Sequence, residues 1–256
     1  YFTYDALGRG ITTSIVKKES SANGNQTSGV AVTKYDYDIF GQVVKETLPN
    51  GATNKREYNG LVITHTDAND HIRIERMNML GQLSQVESDK TTVTNTNGTR
   101  AQNVNTFIDY TYDVYGNLTK VETYASNDQS NKYIVNTIYD TEGRKTDMYD
   151  PDKGHWHYTY NGFGELETQT NANGQTTVIG YDELGRKIRE VIPATSKTGA
   201  TTSCWQYGTS KADKNVGKLV SIKQYTGEHS ACPIAGTPIW QESYEFDRYG
   251  RIEKTT

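Results

Sequence analysis

Tyr139-Asp140-Thr141-Glu142-Gly143-Arg144 returns 21 residues later as Tyr160-Asn161-Gly162-Phe163-Gly164-Glu165, and 21 residues after that as Tyr181-Asp182-Glu183-Leu184-Gly185-Arg186. Outward from these, the same core stands at Tyr4-Asp5-Ala6-Leu7-Gly8-Arg9, Tyr37-Asp38-Ile39-Phe40-Gly41-Gln42, Tyr112-Asp113-Val114-Tyr115-Gly116-Asn117 and Phe246-Asp247-Arg248-Tyr249-Gly250-Arg251. Met77-Asn78-Met79-Leu80-Gly81-Gln82 keeps the frame without the Tyr and Asp. A degenerate copy begins at Tyr58, and an expanded one runs from Tyr207 to Gly217. A fixed internal period is the mark of a repeat architecture. Residues 1–256 therefore read as one array, with cores near 4, 37, 58, 77, 112, 139, 160, 181, 207 and 246.

The core has a mechanism. Asp5, Asp38, Asp113, Asp140, Asp182 and Asp247 each open a turn, because an Asp side chain accepts a hydrogen bond from the backbone two residues on. Gly8, Gly41, Gly116, Gly143, Gly164, Gly185 and Gly250 follow three residues later and supply a positive φ. Asp-x-x-Gly is thus a type I turn with a glycine exit, a common hairpin connection. Pairs such as Tyr110/Tyr112, Tyr158/Tyr160 and Tyr244/Phe246 stand two apart, on one side of a strand. A second turn lies near Asn50-Gly51, Lys153-Gly154 and Asn173-Gly174. No 3.6-residue apolar stripe competes. The expectation is all-β: repeated antiparallel hairpins in one continuous, curved and spiralling sheet, a partial shell.

Where the spacing exceeds 21, the extra residues fall at the second turn: Lys18 to Val32, Ser88 to Val104, Ala125 to Lys132 and Pro193 to Ser203. They are rich in Ser, Thr, Asn and Gly and are expected to be solvated loops on one sheet edge.

Composition narrows the function classes. Hydrophobic residues are 34% of the 256 and include 19 tyrosines, so the core must be built largely from Tyr, Thr and scattered aliphatics. Net charge is −4 with no basic cluster, which argues against nucleic acid. No run approaches the length of a membrane-spanning helix. The chain starts inside one repeat and stops just after another, as a piece of a longer protein is expected to. Cys204 and Cys232 flank the irregular repeat; a single bridge and two free thiols are both compatible with that placement.

Candidate chemistry is sparse. His155 and His157 share a strand face, a spacing that fits a metal, but the sequence places no carboxylate or third histidine beside them. His65, Asp67, Asp70 and His71 gather around a turn, and His229 sits alone in a loop. The repeated Asp is explained by the turn, so no carboxylate pair points to hydrolysis. No nucleophile elbow, phosphate loop or cofactor motif is present. Trp156, Tyr158, Trp205 and Trp240 are candidates for a carbohydrate-stacking surface, weighed against filling of a sheet face. Asn25, Asn97 and Asn117 open Asn-x-Ser/Thr sites, relevant only on a eukaryotic secretory route.

The quoted cores resemble the YD-repeat, or Rhs-type, family: bacterial Rhs proteins, the shell components of insecticidal toxin complexes, and teneurins. The resemblance covers nearly the whole chain. It implies a sheet that spirals into a hollow shell, non-catalytic, secreted or at the surface of a bacterium. The implied partners are the rest of that shell and an enclosed or C-terminal effector domain. The alternative is an adhesion module that binds carbohydrate or protein through loops on one edge or exposed aromatics. Bacterial members end in an Asp-Pro-containing autoproteolytic segment; Asp150-Pro151-Asp152-Lys153-Gly154 is the nearest string and reads as an ordinary turn. Size sets a limit. About 20 strands spaced about 4.8 Å, rolled into one ring, enclose on the order of 7,000 Å³. That is too small for a folded toxin domain, so the chain is expected to form part of a shell and not a whole one.

Overall fold

The structure, a computed structural model, describes residues 2–20, 26–93 and 102–256, with side chains of 15–20, 26–30, 89–93 and 102–104 left aside. Asn25 and Asn97 lie outside the described residues. The expected all-β fold is what forms: twenty strands and no helix among the described residues. They are β1 (Phe2–Tyr4), β2 (Gly10–Ser20), β3 (Gln26–Tyr37), β4 (Val43–Thr47), β5 (Thr53–Asn59), β6 (Val62–Thr66), β7 (Ile72–Met77), β8 (Leu83–Val93), β9 (Gln102–Tyr112), β10 (Leu118–Ala125), β11 (Asp128–Tyr139), β12 (Lys145–Asp150), β13 (Gly154–Tyr160), β14 (Leu166–Thr170), β15 (Thr176–Tyr181), β16 (Lys187–Ile192), β17 (Thr201–Tyr207), β18 (Leu219–Thr226), β19 (Trp240–Phe246) and β20 (Ile252–Thr255). Consecutive strands pair in an antiparallel meander. Two compact units share them: Tyr1–Tyr112 with Lys120–Ile134, and Asp113–Thr119 with Val135–Thr256.

Each repeat turn is built as the sequence implies. Asp140 N–H donates to Arg144 O at 2.9 Å and Gly143 N–H to Asp140 O at 3.1 Å. Asp140 Oδ1 accepts from the backbone N–H of Glu142 and of Arg144, both at 2.9 Å, while Oδ2 takes Arg144 Nε at 2.7 Å. The same set recurs at Asp5, Asp182 and Asp247. Asp38 and Asp113 make the two backbone bonds as well. The seven turn glycines named from sequence have φ between 73° and 91°. Gly185, at φ 73°, shows the cost of replacing one. Gly185→Val is expected to destabilise by about 2 kcal/mol, mostly backbone strain. A new Cβ would meet only the mobile end of Glu165, at 2.7 Å. An unchanged denaturation midpoint refutes the turn.

The edge that carries Asn50-Gly51 and Asn173-Gly174 uses the same turn, with Asn171 Oδ1 accepting from Asn173 and Gln175 N–H. At Asp67 the pattern is also kept, but Asp70 occupies the glycine position at φ 63°. Asp67, Asp70 and His71 are accordingly a turn, with His71 paired to Asp67 at 2.9 Å, while His65 stands in β6 with its Nε2 3.3 Å from Glu75 Oε2. Asp70→Gly relieves a left-handed non-glycine and is expected to raise stability by about 1 kcal/mol in a urea titration.

The aspartates also set the acid limit. Hydrogen bonds from the arginine four residues on hold Asp5, Asp140, Asp182 and Asp247 below the ordinary carboxylate range. The backbone N–H is the main cause at Asp5, Asp140 and Asp247, and the guanidinium at Asp182. A carboxyl whose pKa is lowered by folding contributes stability above its unfolded value and loses it as pH falls through the folded value. These carboxylates sit at the sheet edge, half-buried but within reach of solvent screening, so each contribution is small. Together they predict a melting temperature that is flat from neutral pH to about 5 and falls below about pH 4. A midpoint unaffected at low pH contradicts the turn electrostatics.

The repeat tyrosine explains itself once strands are assembled. Its hydroxyl donates to the carbonyl two residues past the glycine of the preceding repeat. Tyr37 reaches Gly10, Tyr58 Val43, Tyr112 Leu83, Tyr139 Leu118, Tyr160 Lys145, Tyr181 Leu166 and Tyr207 Lys187, at 2.7–3.2 Å. Arginines of the preceding turn lie over three of these rings: Arg9 on Tyr37, Arg144 on Tyr160 and Arg186 on Tyr207, 4.2–4.9 Å from the centroid. A β-bulge just before the aromatic, as between Thr159 and Tyr160, turns the ring toward that neighbour. Each repeat that carries one of these seven tyrosines is therefore stapled to the one before it. Tyr, not Phe, is required wherever the hydroxyl is used.

The expected loops need correction. The described parts of these inserts, 18–20 with 26–32 and 88–93 with 102–104, extend hairpins, with β2–β3 pairing out to Ser20–Gln26 and β8–β9 out to Val93–Gln102. Between β10 and β11 only Ser126 and Asn127 turn the chain. Thr and Val in these inserts favour strand over coil, and backbone pairing outweighs their polar composition. Among the described residues of the inserts, Pro193 to Ala200 remains a loop.

Little is deeply buried. Two compact bodies of this combined length would expose about 14,000 Å²; the chain exposes 17532 Å². Most strand residues are half-buried on both faces, the signature of a single layer. The largest cluster of buried residues on one face lies in the second unit, where Val191, Thr202, Cys204, Ser221 and Tyr225 are buried together.

Candidate functional site

That buried patch exists because something covers it. Residues 227–239, between β18 and β19, fold back over β16–β18 as a strap. Thr202, with no exposed surface, donates from Oγ1 to Gly227 O at 2.8 Å and accepts from His229 N–H at 3.0 Å. Arg189 Nη1 donates to His229 O at 3.0 Å. Cys204 and Cys232 form a disulfide, with Cα atoms 5.8 Å apart. The bridge thus pins the strap to the sheet, and His229 lies within the strap. A cleft of about 370 Å³ remains between them, lined in part by Gln206, Ser221, Lys223, Tyr225 and Ile234.

Register defines the two faces of this unit. Asp147 pairs with His157, His157 with Thr170, Val178 with Val191, Val191 with Thr202 and Cys204 with Lys223. These residues and the strap share one face. Tyr158 pairs with Gln169, Glu190 with Ser203, Trp205 with Ile222 and Gln224 with Trp240. Trp156, Tyr158, Trp205 and Trp240 therefore share the other face. They form two separate pairs: Trp156 and Tyr158 are neighbours on β13, Trp205 and Trp240 lie two strands apart on β17 and β19, and β13 and β17 are four strands apart, about 19 Å. Lys145 caps the Tyr158 ring and Lys187 the Trp205 ring, both at 4.2 Å, and Trp156 Nε1 donates to Lys153 O. Trp240 is about half exposed.

His155 and His157 do have a carboxylate beside them, one that sequence reasoning missed. Asp147 Oδ1 accepts from His155 Nε2 at 2.8 Å and from His157 Nδ1 at 2.9 Å. Tyr149 stacks flat on His155, with centroids 4.4 Å apart. Burial pushes the Asp147 carboxyl up, but hydrogen bonds from His157, His155 and Thr146 outweigh it, and the group sits below the ordinary carboxylate range. Both imidazoles are spent on one oxygen. Among the described residues, no group of three or more His, Cys, Asp or Glu is placed to hold a metal. Asn117, the remaining acceptor-site asparagine, donates from Nδ2 to Asp113.

Solved structures show the same architecture. A TcdB2-TccC3 complex without its hypervariable C-terminal region superposes over 100% of this chain, with a TM-score of 0.65 and 13% identity. The chain shares that fold. It spans only 15% of the length of that protein. A TcdB2-TccC3-Cdc42 structure gives a TM-score of 0.64 over 98% of the chain at 14% identity. The Photorhabdus luminescens Tc holotoxin pore gives 0.61 over 100% at 12% identity, with 17% of that chain covered. No family model and no curated protein matches the chain.

The strap was the feature least visible beforehand. Its signals were the loss of the 21-residue period between Tyr207 and Phe246 and the two cysteines that bracket the break. The Asp147 contact was hidden because it depends on the β12–β13 register, which pairs residues ten apart across a turn.

Proposed function

We propose that the chain is a non-catalytic wall segment of a secreted Rhs-type shell, one that encloses or delivers an effector domain. The observation that carries this reading is a row of bare apolar side chains on the turn edge. In an antiparallel meander all the turns that close odd-to-even hairpins lie on one edge. In the first unit they present Leu7, Ile39, Phe40, Met79 and Leu80; in the second, Val114, Tyr115, Phe163, Leu184 and Tyr249. All are between 66% and 93% exposed. A soluble monomer rarely keeps so many. In a wall, neighbouring stretches of shell cover them. The single layer supports the same reading, since a wall needs two usable faces. So does the fold shared with TcdB2-TccC3, a complex whose own hypervariable region is C-terminal. The separation of Trp156 and Tyr158 on β13 from Trp205 and Trp240 on β17 and β19 weighs against one continuous carbohydrate-stacking surface.

Protease protection of the whole parent protein tests the reading. The expected result is a C-terminal piece that resists digestion while the shell is intact and is degraded once the shell is denatured. Equal digestion in both states overturns it.

A further inference from the structure

The cleft under the strap carries a charge with no carboxylate partner among the described residues. Its volume of about 370 Å³ falls within the range of about 300–1,000 Å³ usual for small-molecule sites. Tyr225, Pro233, Ile234 and the disulfide make apolar walls. Lys223, opposite Cys204 in the register, shares the face on which the strap lies and lines the same cleft. Among the described residues no carboxylate pairs with it. The one acid that lines the cleft, Asp182, is held by Arg186 at 2.6 Å. Ser221 Oγ donates to Gln206 Oε1 at 3.3 Å, which leaves the Gln206 amide nitrogen as a second donor.

We propose that this cleft binds a small carboxylate with a flat apolar body. The carboxylate sits on the Lys223 ammonium, with Gln206 as second donor, and the ring lies against Tyr225 and Ile234. An ammonium beside apolar walls, in a cleft whose other charged pair, Asp182 and Arg186, is already joined, selects for a single anionic group, because a neutral body of the same shape leaves that charge uncompensated. The site is independent of whether the chain forms a shell wall.

Titration with 2-naphthoate and its neutral isostere 2-naphthamide, read by fluorescence, tests this. The acid is expected to bind one per chain, at least tenfold tighter than the amide. Lys223→Met should bring the acid down to the amide while leaving the amide unchanged. Ile234→Ala should weaken both, with circular dichroism confirming that each variant keeps its sheet. Equal binding of acid and amide to the unaltered protein overturns the proposal. So does a preference that survives Lys223→Met, or no saturable binding of the acid up to about 5 mM.

Discussion

Replacing Cys204 and Cys232 together with serine is expected to destabilise the second unit by about 3.5 kcal/mol, the chain-entropy value for a loop of this length. The bridge closes a sequence separation of 28. Its removal frees the denatured chain and also loosens the strap, the one element that buries Val191, Thr202 and Tyr225. A single layer has little other core to fall back on, so the loss should be visible as an early transition in urea monitored by tryptophan emission. The first unit has no cysteine and should unfold unchanged. If the double variant unfolds with the unaltered midpoint, the strap is not a structural clamp.

Tyr160 gives the second large effect. Its hydroxyl donates to Lys145 O at 2.8 Å, and Arg144 lies 4.9 Å over its ring. Tyr160→Phe removes one hydrogen bond and should cost about 1 kcal/mol. Tyr160→Ala removes the ring as well. It should cost about 3 kcal/mol, the low end for an aromatic truncation because the site is only half-buried. The ratio is the informative quantity. Equal losses for Phe and Ala would mean that the ring packs against nothing. No loss for Phe would mean that the hydroxyl ladder is incidental, and Phe246 and Met77 would then represent ordinary members of the repeat and not exceptions.

Much of the fold was legible because the repeat core writes its own geometry. Asp140 and Gly143 specify a turn by local chemistry, so the hairpins follow from six residues at a time. What local chemistry cannot show is which strand lies opposite which residue. The tyrosine hydroxyl ladder joins residues 15 to 29 apart, and the Asp147 contact needs the register of two strands. Composition misled at the inserts, where Thr and Asn suggested coil but long backbone pairing prevailed. The strap was only half legible. Cys204 and Cys232 marked its place, while its function as a cover over Thr202 depends on burial that no pattern of residues announces.

The most direct measurement is an electron cryomicroscopy map of the intact parent protein. The expected map is a hollow body in which this chain is one stretch of a single-layer wall, with the turns bearing Phe40, Leu80, Phe163 and Leu184 packed against adjoining shell. A solid particle, or a wall in which those turns face bare solvent, would contradict the wall reading.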